Sequence, residues 1–199
     1  MPVEIPADLP PELVPFAWLL GEWEGDGFVG YADVDQQPFR QHVQFAHHGL
    51  PFLEYRAESH LIGVDGRPSR MITVEHGFWQ LDRHFRDGDP GPGLLPGGTV
   101  PVLASAEDVE ALRTEDGGFP VLATITRPGG IGELYVGEIH GPRIRIATDA
   151  VVRSQGAKET TAATRMLGLV DGDLFWAWDM AAGGRPLGTH ASAELKRQS

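Results

Sequence analysis

The chain has 199 residues, 41% of them hydrophobic and 22% charged, which suits one folded domain with a sizeable core and excludes a disordered chain. Acidic residues outnumber basic ones 28 to 16, and a formal net charge of -12 disfavours binding to nucleic-acid backbones or to an anionic membrane surface. With no cysteine, disulfides, thiolate metal sites and cysteine nucleophiles are excluded, and a reducing, cytoplasmic compartment fits.

Residues 1–10 read as a loose, Pro-rich arm without the positive n-region of a signal peptide. No apolar run approaches the ~20 residues that a membrane helix needs. Pro11 to Leu20 (PELVPFAWLL) is predicted as one short helix, with Leu13, Phe16, Ala17 and Leu20 on a shared face and Gly21 stopping it. From Glu22 the period changes to two. Phe39, Gln41, Val43 and Phe45 alternate with Arg40, His42 and Gln44. Leu53, Tyr55, Ala57, Ser59 and Leu61 alternate with Glu54, Arg56, Glu58 and His60, and a turn at Val64 to Arg67 follows. Arg70 to Leu81 is another strand, with Ile72, Val74, His76 and Phe78 on one side. Later strand-like runs are 121–126, 132–139, 143–153, 158–170, 174–180 and 191–197, joined by hairpin-like connections.

The pattern predicts an all-β single domain over residues 1–199: a roughly ten-stranded antiparallel up-and-down barrel with one short N-terminal helix. Short connections favour a meander, and closure removes exposed edges. Residues 86–118, rich in Gly and Pro and then acidic, form a loop insertion at the barrel rim, with room for a helical turn or two.

Several motifs carry no chemistry. Gly25, Gly27 and Gly30 satisfy G-x-G-x-x-G, but a helix precedes them and strands follow, so the dinucleotide reading is rejected. There is no phosphate-binding P-loop and no G-x-S-x-G elbow. The eight histidines show no metal-ligand spacing. In GEWEGDG, residues 21–27, Trp23 alternates with Glu22 and Glu24. It is read as a plug for the closed barrel end, with Gly25 and Gly27 letting the backbone bend beside it.

Two blocks carry a resemblance to the nitrobindin family of small heme-binding β-barrels shaped like fatty-acid-binding proteins. The family's G-x-W-x-G-x-G motif is matched by Gly21, Trp23, Gly25 and Gly27. Its late block is matched by Met180-Ala181-Ala182, by Gly184-Arg185-Pro186-Leu187, by His190 and by Ala193 to Arg197. The resemblance covers most of the chain from about Leu13. It implies heme b at the open barrel end, with His190 as proximal iron ligand and catalytic centre, and Lys158 beside a heme propionate. It also implies isomerisation of peroxynitrite to nitrate at ferric heme and reversible binding of nitric oxide. A homodimer stays open. The alternative is a non-heme carrier of a fatty acid or other small apolar ligand in the same barrel.

Three features depart from the family pattern or strain it. Thr189 and Ala191 stand where the family usually has Pro and Leu, which predicts a looser start to the last strand and weaker heme binding. The insertion at 86–118 can cover the pocket. Strict alternation also places His190 with Ser192, Glu194 and Lys196, away from the apolar Ala191, Ala193 and Leu195. His190 therefore reaches an interior cofactor only from a turn or a bulge at the rim.

Overall fold

A computed structural model describes residues 5–198, so the first four residues of the expected arm lie outside it. Ten antiparallel strands run in chain order: β1 (Gly21–Tyr31), β2 (Val34–His47), β3 (Leu53–Ile62), β4 (Pro68–Leu81), β5 (Phe119–Arg127), β6 (Ile131–Ile139), β7 (Arg143–Arg153), β8 (Thr160–Val170), β9 (Asp173–Ala182) and β10 (Gly188–Arg197). Each pairs with its sequence neighbour, and β1 also pairs with β10, closing the barrel without crossovers. The expected up-and-down barrel is the fold.

Burial follows the two-residue period. Trp23 on β1, Phe39, Val43 and Phe45 on β2, and Ala191, Ala193 and Leu195 on β10 all point inward. On β4 the inward set is Glu75, Gly77, Trp79 and Leu81; His76 and Phe78, on the side that the sequence pattern picked out, turn outward.

The two ends of the barrel differ. At one end Pro11–Leu19 forms a 3-10 helix, one residue shorter than the predicted helix, and Leu13, Phe16, Ala17, Trp18 and Leu19 are all buried. Trp23 seals this end. It is fully buried, and its indole N–H donates to the Leu19 carbonyl at 2.8 Å. Its ring also stacks under the Arg197 guanidinium at 4.1 Å. The long β4–β5 connection starts and finishes at this same end, where Arg83 binds both Glu12 and Asp89 at 2.7–2.9 Å and ties the connection to the helix. Within it, Ala106–Glu110 is a short α-helix, α1, capped by Ser105 and Asp108. The expectation that this insertion covers the pocket is therefore wrong. It belongs to the closed end, and β10 carries His190 near the opposite end.

Gly25 and Gly27 also need a different account. Neither has a positive φ. Instead β10 crosses so close that a Cβ at Gly25 would collide with the Glu194 carbonyl, and one at Gly27 with the Ser192 carbonyl. The motif glycines permit close approach of the closing strand, which side chains would prop away.

Gly25→Val and Gly27→Val should each destabilise the barrel by at least ~1–3 kcal/mol, the usual cost of forcing volume into a packed site. Urea unfolding midpoints measure this, and wild-type midpoints in both variants would contradict the close-approach account.

Candidate functional site

At the open end, β10 begins at Gly188, where Gly188 pairs with Met180 and Thr189 with Asp179 on β9. The next pair is Ala191 with Trp178, so His190 is the extra residue of a β-bulge. The bulge resets the alternation: Ala191 is buried while His190 is half-buried and lines the mouth of the barrel. Regular pairing with β9 already begins two residues before His190.

Three contacts hold the imidazole. Its Nδ1 lies 2.9 Å from the Gly30 carbonyl, which can only accept, so Nδ1 carries the proton and Nε2 keeps its lone pair. Among the described residues, no protein group hydrogen-bonds Nε2. The Trp178 ring meets the imidazole edge-on at 4.7 Å, and the Tyr31 ring does so at 6.0 Å. Tyr31 in turn is anchored at its hydroxyl, which accepts from the Ala182 N–H at 2.9 Å and donates to the Ala182 carbonyl at 3.3 Å. Burial lowers the His190 pKa. The Gly30 hydrogen bond opposes this, but Arg127 and Arg165 add to it, so the ring is neutral at pH 7. A neutral imidazole with its N–H fixed by a carbonyl is the form that ligates a metal.

Behind Trp178 lies a buried ion cluster. The Arg165 and Arg127 guanidinium groups stack on the indole at 4.4 and 4.6 Å. Arg165 forks onto Glu75 at 2.6 and 2.8 Å, and Arg127 onto Glu133 at 2.6 and 2.9 Å. Tyr55 and Tyr135 donate their hydroxyls to Glu75 and Glu133 at 2.9 and 2.7 Å. Burial alone would raise the Glu75 carboxyl, but Arg165, Arg127 and the Tyr55 hydroxyl outweigh it and hold the pKa at about 2. The sequence pattern gave little sign of this cluster, since its members are isolated polar residues at inward positions on β3, β4, β5, β6 and β8. An acid or arginine interrupting an apolar inward set was the one available hint.

The mouth opens into a cavity of about 670 Å3, within the size range of cofactor pockets, with a mainly apolar lining that includes Val34, Ile72, Ile131, Trp178 and Met180. Three cations also line it. Arg127 is paired with Glu133, Arg185 binds Asp33, and Lys158 has no carboxylate within 4.0 Å among the described residues. Lys158 lies in the β7–β8 connection, since β8 begins only at Thr160. The structure thus brings His190 and Lys158 to one cavity. An apolar slot, a neutral imidazole with a free nitrogen and an unpaired rim cation together fit a heme, whose faces are apolar and whose propionates are anionic.

Residues 12–197 match the family model described as the THAP4-like, heme-binding β-barrel domain. A protein from Kocuria rhizophila named peroxynitrite isomerase is 61% identical over 99% of this chain and 96% of its own length. One of the same name from Arthrobacter sp. strain FB24 is 55% identical over the whole of both chains. Among solved structures, Rv2717c from M. tuberculosis is 26% identical with a TM-score of 0.69, covering 96% of this chain and 99% of its own.

The folded-state pKa of Glu75, about 2, lies below the ordinary 4.5. Its contribution to stability, on the order of 3 kcal/mol, should be complete above about pH 4.5 and vanish as pH falls towards 2. Glu75→Gln should flatten that part of the stability–pH profile and cost about 3–5 kcal/mol at neutral pH, because it leaves Arg165 buried without its counter-charge. Chemical denaturation across the pH range reads both effects.

Proposed function

The chain belongs to the THAP4-like heme-binding β-barrel family, the nitrobindins, and on that premise we propose that it is a heme-dependent peroxynitrite isomerase in which His190 would hold the iron. The observation that carries this reading is the bulge at His190. It turns a neutral imidazole toward the mouth cavity with Nδ1–H committed to Gly30 and Nε2 uncommitted. A fatty-acid carrier would use the same cavity but would leave this arrangement without a role.

Heme b, when bound, supplies the ferric iron at which peroxynitrite is rearranged to nitrate, and in the ferrous state it binds nitric oxide. The protein's own residues set the conditions. Nε2 of His190 donates its lone pair, and the Gly30 carbonyl fixes the tautomer and strengthens the donor through the ring. The Trp178 edge blocks rotation of the imidazole about its hydrogen bond, and the guanidinium groups packed against the indole hold Trp178 in turn. With His190 as the one protein ligand, the iron would keep coordination capacity for the small molecule. Apolar mouth residues exclude bulk water from it. Lys158 offers the positive charge that a propionate needs and that a chain of net charge -12 must supply locally. A Cys-free chain suits a reducing, cytoplasmic setting for this chemistry.

Hemin added to the pure protein should give a Soret band that is lost or displaced in His190→Ala, together with loss of catalysed peroxynitrite decay to nitrate. A wild-type band in the variant would sink the ligand assignment. Lys158→Met should raise the hemin dissociation constant about 2- to 5-fold, as expected for a partly exposed ion pair, with the Soret maximum unmoved. Fluorescence quenching by hemin measures it.

A further inference from the structure

Two small chambers lie inside the barrel beyond the mouth. The upper one, about 50 Å3, shares His190, Trp178, Ile72 and Thr73 with the mouth cavity. The lower one, about 20 Å3, shares Gln41 and Trp176 with the upper. Neither has room for a porphyrin. Each has room for at least one water-sized molecule, which needs about 10–15 Å3 of such space.

The polar atoms around these chambers are incompletely bonded. Among the described residues, six buried side-chain nitrogen or oxygen atoms have no protein partner. Four of the six, Gln41 Oε1 and the indole nitrogens of Trp79, Trp176 and Trp178, sit on residues lining the two chambers. Gln41 is 5% exposed, and its Nε2 donates to the Ser59 hydroxyl at 3.0 Å, which fixes the amide while leaving Oε1 as an unused acceptor. A buried polar group without a partner is costly, and here one acceptor and several donors belong to residues around the same two, mainly apolar chambers.

The charges nearby do not select an ion. Glu75 lines the upper chamber and Arg165 the lower, but each is engaged by the other. A cation would compete with two arginines for Glu75, and an anion would find no uncompensated positive charge. What the chambers match is a small neutral molecule that both donates and accepts hydrogen bonds.

We propose that the two inner chambers are a binding site for neutral, water-sized hydrogen-bonding molecules, water itself at rest, and that Gln41 is the residue selecting them against apolar gases. A diatomic such as nitric oxide offers little to the amide or the indole N–H groups and would have to displace a molecule that satisfies them. The chambers therefore give a gas that enters by the mouth no resting place behind His190. This last consequence rests on the heme reading, whereas occupancy of the chambers does not.

Xenon is the probe, because it enters dry apolar cavities and is excluded from hydrated ones. Crystals of the full chain, with and without hemin, are exposed to pressurised xenon. In the wild type we expect water-sized density within hydrogen-bonding distance of the Gln41 amide and of at least one indole N–H, and no xenon in either chamber. In Gln41→Leu we expect xenon in the upper chamber; Gln41→Met, closer in shape, serves if the leucine variant does not fold. Xenon in the wild-type chambers, or chambers without any density, overturns the proposal. In hemin-loaded, reduced protein, nitric oxide rebinding after photolysis should gain a slower geminate phase in the same variant. An unchanged trace overturns the gas-excluding role, while the crystallographic arm tests the binding site independently of heme.

Discussion

Everything at the open end depends on one break in strand alternation. A β-strand sends successive side chains to opposite faces, and the apolar set Ala191, Ala193 and Leu195 claims the interior of β10. In an unbroken strand His190 would face outward. One extra residue between the pairs Thr189–Asp179 and Ala191–Trp178 lets both demands be met, so the strand packs its small residues inward and still turns the imidazole to the mouth. The bulge sits where the chain has just entered the sheet, with only two paired residues before it, so the rest of the β1–β10 seam keeps its register.

The bulge sets the direction of the imidazole, and the interior sets its orientation. A ring held by one hydrogen bond can still swivel about that bond. Trp178 removes the freedom by meeting the ring edge-on, and two guanidinium groups pack against its indole. Those guanidiniums are immobile because each is forked onto a buried carboxylate, and both carboxylates accept from tyrosine hydroxyls. Ion pairs of this kind gain little over apolar residues of the same volume, since desolvation cancels much of their attraction, although removing one partner alone is costly. Their value here is directional: fixed charges in a low-dielectric interior hold one side chain in one pose and add to the burial that keeps His190 neutral.

The closed end solves a separate problem. A barrel of ten strands has two openings, and a cofactor pocket needs one of them shut. The 3-10 helix, Trp23 and the β4–β5 connection share that task, locked by Arg83 with Glu12 and Asp89 and by Arg197 stacked on Trp23. Gly25 and Gly27 belong to the same construction. They let β10 approach β1 closely, so the seam that closes the barrel also delivers His190 at its far end.

The amino-acid sequence alone determined the class of fold, the strand order and the barrel, because alternation and turn residues are local signals and a meander needs no long-range choice. It also singled out Trp23 and His190 through two short blocks of residues, and Lys158 through the family resemblance that those blocks carry, and it showed that His190 could face inward only from a turn or bulge. The tertiary structure decided what depends on distant segments meeting. The side of the barrel on which the 86–118 insertion falls follows from counting strand directions through to closure. The pairing of Glu75 with Arg165, separated by 90 residues, exists only because β4 and β8 face each other across the interior. The use of Gly25 and Gly27 as contact points for β10 likewise appears only once the two ends of the chain are side by side. Periodicity reports which face a residue prefers, while the partner across the barrel, and the chemistry the pair can do, is fixed by closure.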